Sequence, residues 1–270
     1  MEPPVPHSLY ANPVGIAAPI QSRLDAIGRD RRKGAMEIAL AALPLLAQLT
    51  PAQRRDAART LAKAQPAMAP LRWLAAQLGD GAEPEHLVRH LILASGEASL
   101  YASELIQRRS VVLTHSASST VERALHAAPR PFRIVVTESR PLGEGERLAD
   151  RLSGEGLDVQ LIPDASLCLW LPRVDLVLVG ADAITPQGIV NKVGTRLLAL
   201  AASDAGVPFH VVCTTDKIVD TVSVGREDLF DLTPLSLITS VVTEEGVRKP
   251  SSFTGARSAP SSRPRRSRAI

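Results

Sequence analysis

Two cysteines, Cys168 and Cys213, are all that the 270 residues contain, and they stand 45 positions apart with no C-x-x-C partner. That excludes a disulfide framework and a cysteine-based zinc site, and it suits a reducing compartment. Aromatic residues are also scarce: four Phe, two Tyr and two Trp. With 45% apolar residues the core must therefore be built from Ala, Val, Leu and Ile, and that much apolar content excludes general disorder. Long hydrophobic runs are missing too. The most apolar stretch, Ile38–Leu49, is interrupted by Pro44 and falls short of the roughly 20 residues needed to span a bilayer. The opening segment has no basic region followed by an apolar one, so no secretory signal is expected. A soluble cytoplasmic protein with no membrane association is the expectation.

The net charge of +3 is small and unevenly placed. Residues 249–270 carry six basic residues and no acidic one, so the 31 basic and 28 acidic residues of the whole chain leave 25 against 28 in the body. The body is mildly acidic. The basicity belongs to a tail rich in Ser and Pro, expected to be disordered, whose Arg263, Arg265, Arg266 and Arg268 hint only weakly at nucleic acid.

Residues 1–20 hold five prolines and read as an extended arm. From 21 to 108 the pattern is helical: Ala35, Ile38, Ala39, Ala42, Leu45, Leu46 and Leu49 recur at three-to-four spacing. Thr50-Pro51 supplies an N-cap followed by proline at the first helical position. Pro66 ends that helix, a short one carries Trp73, Leu74 and Leu78, and a last one runs from Pro84 to Gln107.

From 109 to 248 the period changes. Short β-branched runs at Val111–Thr114, Arg133–Thr137, Val159–Ile162, Leu176–Val179 and Phe209–Cys213 alternate with helical patterns such as Glu144–Gly154 and Val193–Ala205. Runs apolar on every residue are those of strands covered on both faces. The expected fold is α/β: an N-terminal helical domain followed by a Rossmann-like, doubly wound parallel sheet domain. Function in such sheets sits at the C-terminal strand ends. There the sequence places Thr114-His115-Ser116-Ala117-Ser118-Ser119, Glu138-Ser139-Arg140, Gly180-Ala181-Asp182 and Asn191-Lys192. Small hydroxyl residues entering a helix can seat a phosphate, and so can an amide and a lysine placed before one. His115 reads as a hydrogen-bonded rim histidine rather than a catalytic base.

Four other features carry less. Gly143-Glu144-Gly145 lacks the third glycine and the first-strand context of a dinucleotide fingerprint, and reads as a helix start. His86 and His90 are four apart but have no third ligand, so no metal is expected. No G-x-S-x-G surrounds Ser116. Cys213 reads as a small buried residue.

THSAS at 114–118, VTESRPLGEG at 136–145, VLVGADAI at 177–184, VNKVGT at 190–195 and DLTPLSLITSVVTEEGV at 231–247 follow one another in a familiar order. The chain resembles the superfamily of the α, β and δ subunits of translation initiation factor 2B, over about residues 24–247. That superfamily includes isomerases of 5-methylthioribose 1-phosphate and of ribose 1,5-bisphosphate. The resemblance implies an aldose–ketose proton relay between Asp182 and a cysteine whose position here is Ser116. A thiol titrates near 8.5 and can shuttle a proton, whereas a serine hydroxyl needs an adjacent base. The isomerases' Arg-Gly-Ala is here Lys33-Gly34-Ala35, and the best match to their Arg-Pro-Thr is Gln65-Pro66-Ala67, which carries no charge.

The resemblance therefore implies a non-catalytic homo-oligomer, dimeric or larger, that binds a phosphorylated sugar or nucleotide with no cofactor. Its ligand residues would be Lys33, Gly34, Ala35, Ser116, Arg140, Asp182, Asn191 and Lys192. An isomerase using Asp182 is the alternative, and a translation-factor partner is a third reading.

Overall fold

The computed structural model describes residues 15–223 and 228–254. The arm up to residue 14 and the tail from 255 onward, with its arginines, lie outside the described residues.

Five helices come first: α1 (Ala18–Arg29), α2 (Ala35–Leu46), α3 (Pro51–Ala64), α4 (Ala69–Gly79) and α5 (Pro84–Ser103). Thr50 caps α3 as its sequence suggests, its side chain accepting from the Gln53 N–H while Gln53 Oε1 accepts from the Thr50 N–H. The buried positions of α2 (Ile38, Ala39, Ala42, Leu45 and Leu46) meet Leu24, Leu61, Leu71, Leu74 and Leu91 in one cluster. Each such leucine contributes about 1.5–3 kcal/mol by leaving water. Within the segment read as an arm, Ile16 is buried in this cluster.

Strands and helices then alternate: β1 (Val111–Thr114), α6 (Ser119–Ala127), β2 (Arg133–Thr137), α7 (Glu144–Gly154), β3 (Asp158–Ile162), α8 (Leu167–Trp170) and β4 (Leu176–Gly180). After them come β5 (Ala183–Thr185), β6 (Gly188–Lys192), α9 (Thr195–Asp204), β7 (Phe209–Val212), β8 (Phe230–Thr233), β9 (Ser240–Thr243) and β10 (Gly246–Arg248). Seven strands form one sheet in the order β10-β9-β7-β4-β1-β2-β3, parallel except for β10. The five expected strands are all present in it.

Both faces are covered, as the uninterrupted apolar runs require. Leu113, Val135, Val177, Val179, Val211 and Val241 point to a cluster that includes Leu167 of α8 and Leu198 of α9. Their neighbours Val112, Ile134, Val136, Leu178, Val212 and Val242 point the other way, onto Ala98 and Ala102 of α5 and onto residues of α6 and α7. The last helix of the helical region thus also covers the sheet. Phe253 is buried against the first of these faces, inside the segment read as a tail.

The sequence reading lacked β5, β6, β8, β9 and β10. The first three form a small antiparallel sheet, β5-β6-β8. Asn191 and Lys192 close β6, with only Val193 and Gly194 between them and α9. Three residues of β5 and a two-residue connection are too short to show a period.

Strand order reverses between β1 and β4, whose C-terminal ends face the N-terminus of α2. Such a reversal opens a crevice between adjacent loops, where ligands of doubly wound sheets bind.

Candidate functional site

The crevice is a narrow cleft of about 50 Å³ lined by residues 31–36, the 115–119 loop, Glu144, residues 180–182, Asn191, Lys192, Lys217, Leu229 and Phe230. Backbone geometry lets the two central loops meet. A Cβ on Gly180 would lie 2.7 Å from Ser118 Cβ and Oγ, so only glycine permits the approach.

Ser116 adopts φ +66, a left-handed conformation uncommon outside glycine, and its N–H donates to Ser139 Oγ at 2.7 Å. Ser118 caps α6 by accepting from the Val121 N–H. The backbone N–H groups of Ala117, Ser118 and Ser119 make no hydrogen bond among the described residues. Three open N–H groups at the N-terminus of α6 are donors of the kind that can bind an anion.

His115 is buried beneath this loop with both ring nitrogens engaged. Nε2 lies 2.9 Å from the Val193 carbonyl and must donate to it, so Nδ1 accepts from Thr137 Oγ1 at 2.6 Å. Burial pushes its pKa down, against the upward pull of the Val193 hydrogen bond. With both ring nitrogens hydrogen-bonded, His115 is the satisfied rim histidine expected from the sequence.

Asp182 is half-buried at the end of β4. Its backbone N–H donates to Val190 and its carbonyl accepts from the Ala69 N–H of α4, tying the helical region to the sheet rim. Burial raises the pKa of its carboxyl group. The Lys217 ammonium and a hydrogen bond from the Ala35 backbone oppose that rise. Ala35 opens α2, so one carboxyl group faces a helix N-terminus from the other half of the molecule. Lys217 is buried and donates to the Ala181 carbonyl at 2.6 Å.

Lys192 is buried and donates to Glu144 Oε1 at 2.8 Å. The other oxygen, Glu144 Oε2, is buried with no partner in a residue that lines the cleft. An orphaned carboxylate oxygen of this kind is an acceptor waiting for a hydroxyl or N–H. Asn191 Nδ2 donates to Thr195 Oγ1.

The structure brings Lys33, Gly34, Ala35, Ser116, Asp182, Asn191 and Lys192 to one cleft. Arg140 is not among them. It is exposed and reaches Glu138 at 3.3 Å and Glu146 at 2.7 Å, because those two carboxylates flank it on the outer rim. Lys33 is exposed, with Asp30 3.9 Å from its ammonium. Gln65 lies outside the cleft lining, its amide held by the carbonyls of Gly28 and Asp30. Sequence reasoning missed Glu144 and Lys217. It also missed Asp231 of β8, whose carboxylate accepts from the N–H groups of Gly194 and Arg196 and so anchors the start of α9. No group of three or more His, Cys, Asp or Glu suited to a metal occurs among the described residues, and no helix there is long and apolar enough to cross a membrane.

The sequence model of the Initiation factor 2 subunit family matches residues 31–229. A translation initiation factor eIF-2B subunit 2-like protein of Pyrococcus horikoshii is 34% identical over 180 residues, 59% of this chain and 65% of its own length. The chain thus spans just under two thirds of that relative. Ribose 1,5-bisphosphate isomerase of Methanocaldococcus jannaschii is 29% identical over 264 residues, covering 83% of this chain and 86% of the isomerase. Among solved structures, the translation initiation factor eIF-2B of Pyrococcus horikoshii OT3 superposes with a TM-score of 0.77 at 29% identity. It covers 87% of this chain and 98% of its own.

Proposed function

Because this chain belongs to the Initiation factor 2 subunit family, we propose that its cleft binds a phosphorylated sugar or nucleotide without isomerising it. The phosphate sits on the open N–H groups of Ala117, Ser118 and Ser119, with Lys33 close by in the cleft lining. Ligand hydroxyls donate to Asp182 and to the orphaned Glu144 Oε2. Lys192 positions Glu144 and, being paired with it, contributes less to the phosphate than its sequence context suggests.

One observation carries the non-catalytic reading. An aldose–ketose isomerisation moves a proton between adjacent carbons, and the relay needs two groups of suitable pKa within reach of them. Asp182 is one. The second position holds Ser116, and the histidine next to it has both nitrogens committed to Val193 and Thr137. A serine hydroxyl with no free base is a poor proton carrier. The alternative, an isomerase, is favoured by Asp182 itself, whose raised pKa suits an acid–base group.

The protein acts as a homo-oligomer in the cytoplasm. Leu169 of α8 and Leu197 and Leu200 of α9 support the oligomer, since they expose apolar surface on two helices in contact.

The test pairs binding with turnover. Ribose 1,5-bisphosphate, 5-methylthioribose 1-phosphate and adenosine monophosphate are each added to the full chain in a thermal-shift series. A ligand at 100 times its dissociation constant adds about 2.7 kcal/mol. Stabilisation without turnover is the expected result. Turnover that Asp182→Asn abolishes would establish the isomerase instead.

A further inference from the structure

A second cleft opens at the opposite end of the sheet, below the N-terminal ends of β1, β4 and β7. It has a volume of about 370 Å³, within the usual range for small-molecule sites and larger than the cleft at the strand C-termini. Leu105, Leu176 and Pro208 give it an apolar side, while Arg108, Arg109, Asp175 and His210 give it a charged and polar one.

The charges do not cancel. Neither Arg108 nor Arg109 forms an ion pair or a side-chain hydrogen bond among the described residues. The one lining carboxylate, Asp175, offsets one of the two positive charges and accepts from the Val111 N–H at 2.7 Å, which leaves the lining with one net positive charge. His210 is held at Nδ1 by Ser240 Oγ, 2.8 Å away. Two consecutive arginines thus line a recess with an apolar side, neither of them paired with a protein side chain among the described residues.

Arg109 is also held in place at a cost. Its φ is +69, a left-handed conformation that a non-glycine residue keeps only where its surroundings enforce it. They do so here. The Arg109 N–H donates to the Pro131 carbonyl, and the following Ser110 is buried with its hydroxyl on the Gln107 carbonyl at 2.7 Å. Glycine would make the same turn without strain, so what arginine adds at this position is a guanidinium on the rim of the cleft.

We propose that this lower cleft is a second ligand site, separate from the cleft at the strand C-termini, that takes a small phosphate monoester. The phosphate docks on the paired Arg108 and Arg109, whose planar forks match its oxygens. The apolar body of the ligand packs on Leu105, Leu176 and Pro208. This assignment does not depend on the ligand or activity of the upper cleft.

Phenyl phosphate is the probe, titrated calorimetrically into the full chain, with phenol and benzoate as controls. Phenyl phosphate should bind, with phenol and benzoate at least tenfold weaker. Arg108→Ala combined with Arg109→Gly should weaken phenyl phosphate at least tenfold, while Arg59→Ala, which removes an exposed arginine lining neither cleft, leaves it unchanged. Because glycine is at ease at φ +69, the variant keeps its fold, which a far-ultraviolet melt verifies. The proposal is overturned if phenyl phosphate gives no binding up to millimolar concentration, or if phenol binds equally well. Equal affinity for benzoate would assign the site to carboxylates and overturn the phosphate. Affinity that survives the arginine double variant would return the ligand to the upper cleft. An arginine variant that changes oligomeric state and leaves phenyl phosphate affinity intact would make this face a protein contact.

Discussion

Replacing Lys192 by Met probes the pairing that separates this cleft from one built around a free lysine. The Lys192 and Glu144 side chains are 5% and 9% exposed, with Nζ 2.8 Å from Oε1. Removing one partner of a buried pair costs about 3–5 kcal/mol, because the remaining charge is stranded. Glu144 borders a cleft that water can enter, so the lower end, about 3 kcal/mol, is the expected loss for Lys192→Met. At about 2–4 °C per kcal/mol for a domain of this size, Tm should drop by roughly 6–12 °C. The double variant Lys192→Met/Glu144→Leu removes both charges and should return to within about 1 kcal/mol of the parent. Urea unfolding followed by circular dichroism measures all three proteins, with the single variant Glu144→Leu completing the set. A loss below about 0.5 kcal/mol for Lys192→Met is the behaviour of a solvated surface pair. That result would refute the reasoning and return Lys192 to the ligand.

Two further perturbations follow from the same geometry. Gly180→Ala places a methyl group 2.7 Å from Ser118 Cβ and should destabilise by about 1–3 kcal/mol while displacing the 115–119 loop. A variant with parental stability and ligand affinity would show that the two loops are not in contact. His115 and His210 both have pKa values lowered by burial, so the unfolded chain takes up protons that the folded chain refuses. Stability is therefore lost as pH falls below about 6.5, by up to about 1.4 kcal/mol per pH unit for each histidine. Urea midpoints at pH 7.5, 6.5 and 5.5 should fall less steeply in His115→Gln than in the parent; identical slopes would contradict the buried neutral imidazole.

Most of the scaffold was legible because it rests on local signals. β1, β2, β4 and β7 are short runs dominated by apolar residues, and Thr50-Pro51 announces the start of α3 by its own chemistry. The loops of the cleft were legible because strand ends in a doubly wound sheet converge. What depends on distant partners was not. Glu144 meets Lys192 across 48 residues, and Lys217 meets the Ala181 carbonyl across 36. Gln65 matched a charged family position, yet its amide closes the Gly28 and Asp30 carbonyls. Arg140 shows the opposite failure. It lies at a strand end as expected, but its neighbours Glu138 and Glu146, both visible in the sequence, engage it outside the cleft. Arg109 gave no signal at all, since neither its backbone conformation nor the cleft beside it has a sequence signature.

The central claim is that the upper cleft binds a phosphorylated ligand without transforming it. The most direct measurement follows ribose 1,5-bisphosphate by phosphorus NMR over hours in the presence of stoichiometric full-length protein. Resonances that shift or broaden on binding, with the substrate intact at the end, are the predicted result. Conversion to a ketose bisphosphate by the parent protein, lost in Asp182→Asn, would contradict it.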